Sequence, residues 1–66
     1  METGKISWYD QRKGYGFINL CDGSQVFIHR SNLKGNFSKE LVPGREVTFK
    51  LVNGERGPKA EQVSLD

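Results

Sequence analysis

The apolar residues of this chain fall in short runs with a period of two, each closed by turn-forming residues, and no stretch carries a helical period of useful length. Strands are therefore the building material. Five segments read as strands: about Lys5 to Asp10, Gly14 to Leu20, Gln25 to His29, Glu46 to Val52 and Ala60 to Leu65. Asp22-Gly23 makes a hairpin turn between the second and third. In the fourth, Val47, Phe49 and Leu51 alternate with charged or polar neighbours. The connection from Arg30 to Gly44 holds Leu33, Phe37 and Leu41, with a short helical turn expected at Ser31-Asn32-Leu33. Asn53-Gly54 and Gly57-Pro58 bracket a turn-rich loop before the fifth strand.

Sixty-six residues make one domain, here residues 1–66. Five antiparallel strands in so short a chain must close on themselves to hide their edges. The expected fold is all-β, a five-stranded antiparallel Greek-key barrel of the OB type. Its expected core is Ile6, Ile18, Val26, Ile28, Leu33, Val47, Phe49, Leu51 and Val63. Cys21 is the one cysteine, so an intrachain disulfide is excluded and a reducing, cytoplasmic setting is expected. Cys21 and His29 are the sole members of their types, which gives no zinc-ligand spacing, and neither a metal nor another cofactor is expected. No apolar run approaches the ~18 residues of a membrane span, and Met1 to Lys5 lacks the apolar core of a signal peptide. A monomer without a membrane partner is the default expectation.

The second and third strands carry the most information. Read with strand parity, Tyr15 and Phe17 share a face with Lys13, while Gly14, Gly16 and Ile18 take the other. Phe27 and His29 likewise oppose Val26 and Ile28. The small and aliphatic residues form the buried set, which leaves three rings, a lysine and an imidazole facing water. An exposed sheet face this aromatic reads as a binding platform, and flat rings beside positive charge suit stacked bases and a phosphate backbone. Strict alternation puts Trp8 with Ile6 on the core side. A bulge or strong coiling would carry it to the platform instead, and the pattern alone leaves both open.

Charge adds weak support. Residues 1–39 hold six Lys/Arg against three Asp/Glu, and residues 40–66 hold four against five, so the positive excess lies beside the rings. No clustered carboxylates, nucleophile motif or metal-ligand set suggests an enzyme, and Gly14-Tyr15-Gly16 lacks the spacing and following lysine of a P-loop. No small-molecule substrate is expected.

Four blocks occur in order: Gly4-Lys5-Ile6-Ser7-Trp8-Tyr9-Asp10, Lys13-Gly14-Tyr15-Gly16-Phe17-Ile18, Val26-Phe27-Ile28-His29 and Gly54-Glu55-Arg56-Gly57-Pro58. At these spacings the chain resembles the cold-shock domain family in its bacterial single-domain form, over essentially its full length. The two central blocks look like that family's two ribonucleoprotein motifs. The first of them also satisfies most of a motif of the RNA-recognition-motif domain. That fold needs two amphipathic helices, and no segment here is able to form one of normal length.

The resemblance implies binding of single-stranded RNA or DNA with little sequence preference, often tilted toward pyrimidine-rich stretches, by a passive chaperone that keeps transcripts unstructured. It places Trp8, Tyr15, Phe17, Phe27 and His29 at stacking positions and Phe37 in a loop that usually adds another ring. Lys5, Lys13 and Arg56 match positions near the backbone or base edges. Arg30 stands where an aromatic ring commonly follows the histidine, and its guanidinium offers a cation–π contact in exchange. Ser7, Gln25 and Asp10 replace a frequent lysine, aspartate and asparagine, which bears on base preference and leaves the binding class intact. The rival function is a protein- or oligosaccharide-binding barrel of the OB type, which would not need Lys13 and Arg30 beside the rings.

Overall fold

A computed structural model of the chain describes residues 1–35, 37–55 and 57–65. Its strands are β1 (Glu2–Asp10), β2 (Tyr15–Asn19), β3 (Gln25–His29), β4 (Glu46–Gly54) and β5 (Gly57–Leu65), with short 3-10 turns at Arg30–Asn32 and Ser38–Glu40. The strands close into a barrel in the order β1-β2-β3-β5-β4. This is the expected five-stranded all-β barrel, with one refinement. Directions cannot alternate all the way round a ring with an odd number of strands, so one pair must run parallel. That pair is β3 and β5, joined at Phe27 and Lys59.

The interior is filled by Ile6, Ile18, Val26, Ile28, Leu41, Val47, Phe49, Ala60 and Val63, each at most 2% exposed. Seven of these match the core expected from alternation. Two expected members differ. Leu33 is half-buried against the core, in a bridge to Val63, and Leu51 is 41% exposed. The reason for Leu51 is the length of its neighbour: β1 pairs with β4 from Lys5 opposite Glu46 to Glu2 opposite Phe49. Beyond Phe49 the inward face of β4 has lost that strand. Leu41 and Ala60 join the core in their place. Leu41 comes from the aperiodic connection, and Ala60 lies directly opposite Leu51 on β5.

β4 and β5 stay paired to Gly54 opposite Gly57, so most of the expected loop is strand. In the β2–β3 turn, the Asp22 carboxylate accepts the Ser24 hydroxyl and, at 2.9 Å, the Ser24 amide, and these two hydrogen bonds hold the carboxyl below its ordinary range. The β1–β2 turn closes with Gly14 N–H on Asp10 C=O at 2.7 Å, while the Asp10 carboxylate accepts the amides of Arg12 and Lys13. Gly14 has φ +79°, a left-handed backbone that glycine adopts without strain. Among the described residues no helix is long and apolar enough to cross a membrane.

Candidate functional site

The outer face of β2 and β3 is built from successive cross-strand pairs: Tyr15 opposite His29, Phe17 opposite Phe27, and Asn19 opposite Gln25. Parity sets all six side chains on the side away from Ile18, Val26 and Ile28, whose packing fixes the strands. The rings therefore sit on a rigid support.

Trp8 reaches this face through a bulge. β1 pairs Ile6 with Ile18 and then Trp8 with Phe17, so Ser7 is the extra residue. Just before it, Ile6 still exchanges hydrogen bonds with the chain leading into β4, donating to Arg45 C=O at 2.9 Å and accepting from Gly44 N–H at 2.8 Å. Past Ser7, β1 has left β4 and follows β2 alone. The bulge turns the strand there and flips the parity, which brings Trp8 out, 41% exposed.

The rings form a continuous array. Trp8 lies 5.9 Å from Tyr15 and 5.6 Å from Phe17 between centroids. Phe27 lies 6.0 Å from Tyr15, 5.8 Å from Phe17 and 6.4 Å from His29, on which it stacks at 28°. Tyr15, Phe17, Phe27 and His29 are half-buried, each wedged by its neighbours with a face left toward solvent. His29 is held further by Ser31: its Nδ1 accepts the Ser31 amide at 3.1 Å and lies 2.9 Å from Ser31 Oγ. An acceptor at Nδ1 puts the imidazole hydrogen on Nε2.

Charge rims the array unevenly. Lys5 and Lys13 are exposed on β1 and in the β1–β2 turn. Arg30 is exposed at the start of the first 3-10 turn, its amide bound to Gly14 C=O at 2.8 Å. Its stem lies so close over Gly14 that a Cβ there would sit 2.7 Å from Arg30 Cδ. Among the described residues the one ion pair is Lys59–Glu61 at 3.6 Å, so Lys5, Lys13 and Arg30 have no acidic partner there. Phe37 stands apart. It packs half-buried against the core edge and enters no ring pair of the array among the described residues. Arg56 lies outside the described residues.

Beside Phe17 and Phe27 a groove of about 860 Å³ runs to the β4–β5 hairpin, with Gln25 on the near side and Val52, Lys59 and Glu61 on the far side. Lys59 and Asn19, the partner of Gln25, are the residues near the rings that sequence reasoning did not place. Parity with Phe17 and Phe27 signals the amide pair. Nothing local signals Lys59, because its neighbour Phe27 is brought by the parallel closure of the barrel.

Among the described residues no cluster of His, Cys, Asp and Glu is placed to hold a metal ion. Five rings at stacking distance, cations without an acidic partner among the described residues at their border and a groove alongside form a surface suited to flat, polyanionic ligands.

The pattern of the family described as the 'Cold-shock' DNA-binding domain matches residues 2–65. The chain is 45% identical to a cold shock-like protein, CspD, of Bacillus cereus over 64 residues, 97% of each chain. It is 46% identical to the cold shock protein CspB of Geobacillus stearothermophilus over 63 residues, 96% of each. With cold shock-like protein CspC of Escherichia coli the identity is 42% over 62 residues, 92% of this chain and 90% of the other.

Proposed function

The chain belongs to the cold-shock domain family, and from that footing we propose that it binds single-stranded RNA or DNA through the ring array and acts as a passive nucleic-acid chaperone in the cytoplasm. The observation that carries this reading is the contiguity of Trp8, Tyr15, Phe17, Phe27 and His29 on one barrel face, at centroid spacings of 5.6 to 6.4 Å. Each base laid on a ring contributes about 1–3 kcal/mol, nearly whatever its identity, because every base has a π face. Lys5, Lys13, Arg30 and Arg56 neutralise phosphates and release counterions. Phe37 adds a ring from the loop when the strand extends that way. Pyrimidine-rich stretches suit the surface, since their weaker self-stacking is the more easily exchanged for rings.

Duplex hides the faces that the rings require, so the protein binds the unpaired state alone. Mass action then drains a hairpin toward single strand, with no ATP and no bond made or broken. The whole chain acts as one domain and one copy.

The test follows Trp8, the one tryptophan of the chain, in fluorescence titration with a short oligothymidine at two salt concentrations. Saturable quenching is expected, weakening with salt at a log–log slope of about −0.7 for each phosphate contacted. Absence of quenching together with silence in an independent binding assay would overturn the reading. Binding that ignores salt would return the choice to an uncharged ligand such as an oligosaccharide.

A further inference from the structure

The cation that β5 sets beside Phe27 is already engaged. Lys59 is the cross-strand partner of Phe27, and its Nζ lies 3.6 Å from Glu61 Oε2. Resting on the single-strand reading above, we infer that Glu61 limits the affinity of the ring array: it holds Lys59 as half of a neutral pair and withholds that amine from the phosphates.

Placement supports this. Ala60 is buried, so its neighbours Lys59 and Glu61 both face outward, on the strand that closes the barrel against β3. Both line the groove beside Phe17 and Phe27. Glu61 also borders a second hollow of about 500 Å³, formed with Ser31, Asn32, Leu33 and Lys34. Its carboxylate therefore stands between the two hollows on the β5 margin of the array. Lys50 faces Glu61 across the β4–β5 ladder, yet among the described residues the ion pair is made to Lys59.

The consequence is electrostatic. Lys5, Lys13 and Arg30 have no acidic partner among the described residues, so each offers a strand its full charge. A phosphate near Phe27 meets Lys59 and Glu61 together, and at distances beyond their own separation the two contributions nearly cancel. Charges farther from the strand than a Debye length, about 8 Å at physiological ionic strength, are largely screened. A carboxylate in the groove itself is not. A chaperone without ATP depends on spontaneous release, and differences in affinity appear mostly in the rate of dissociation. Glu61 thus sets the affinity, and Lys59 is the group through which it acts.

The test measures oligothymidine affinity by Trp8 quenching over a range of salt, for the parent chain, Glu61→Gln, Lys59→Gln and the double variant, each checked by thermal melting. Glu61→Gln should bind about two- to fivefold more tightly, the scale of an exposed charge contact. Its log–log salt slope should steepen by about 0.7, one further phosphate contact. Lys59→Gln should weaken binding by a similar factor, because it leaves the carboxylate facing the strand alone. The double variant should return to the parent's affinity and slope, since a neutral pair is replaced by two neutral side chains. Unchanged affinity and slope in folded Glu61→Gln would overturn the inference. So would a double variant as weak as Lys59→Gln, which would make Lys59 a phosphate contact in its own right. Failure of the parent chain to bind oligothymidine would remove the underlying reading instead.

Discussion

Trp8 stands opposite Phe17 across the β1–β2 ladder, ring centroids 5.6 Å apart at a tilt of 54°, although alternation from Ile6 would have buried it. One extra residue, Ser7, makes the difference. A single bulge at the point where β1 parts from β4 therefore adds the largest ring to the platform, and it does so without removing Ile6 from the core.

Phe27 is the centre of the array, within 6.4 Å of Tyr15, Phe17 and His29. Phe27→Ala removes a stacking surface and the wedge that orients three neighbours. Affinity for oligothymidine should fall by at least about fivefold, the low end of the roughly 1–3 kcal/mol of one stacked base. The loss should exceed that of Tyr15→Ala, whose ring pairs with Trp8 and Phe27 alone among the described residues. Isothermal titration of both variants checks the order.

His29 has two separable roles, stacking on Phe27 and accepting the Ser31 amide as the cap of the Arg30–Asn32 turn. Phenylalanine at this position keeps the ring and loses the acceptor. His29→Phe should cost about 0.5–1 kcal/mol in urea denaturation while retaining affinity. Equal stability of parent and variant would show that the cap contributes nothing.

Gly16 is buried where β1 crosses over it. A Cβ at this position would lie 2.7 Å from Tyr9 Cα and press on the Trp8 carbonyl oxygen, both backbone atoms without freedom to move aside. Gly16→Val should destabilise by about 3 kcal/mol, a large share of the roughly 3–5 kcal/mol available to a domain of this size. Damage to folding should exceed any damage to the binding surface, since the side chain points inward. A thermal melt identical to the parent's would refute this.

The Tyr9 hydroxyl is covered and has no hydrogen-bond partner among the described residues, and burial raises its pKa above the ordinary 10.0 against a smaller opposing effect of Arg30. The folded state therefore holds the phenolic proton more tightly than the unfolded chain does. Stability from this source is intact below pH 10.0 and declines as pH rises through the folded value. Tyr9→Phe should keep or gain up to about 1 kcal/mol at neutral pH, because an unpaired buried hydroxyl is removed. It should also fall less than the parent in alkali. Denaturation midpoints at neutral pH and above pH 10.0 measure both.

Strand number, the limits of β3 and the faces of β2 and β3 were legible in the sequence, as were the four half-buried members of the ring array. Alternation is a local property: once Ile18, Val26 and Ile28 must be inside, Tyr15, Phe17, Phe27 and His29 have to be outside. The tertiary structure decided everything that depends on which strand lies next to which, and for how long. It set Trp8 outside because β1 bulges on leaving β4. It exposed Leu51 because β1 ends opposite Phe49, short of its level, drew Leu41 and Ala60 inward, and put Lys59 beside Phe27 through a parallel closure. It also joined Asn19 to Gln25. Closing an odd-stranded barrel fixes partners far apart in the chain, and a period of two, repeated in every strand, carries no record of them.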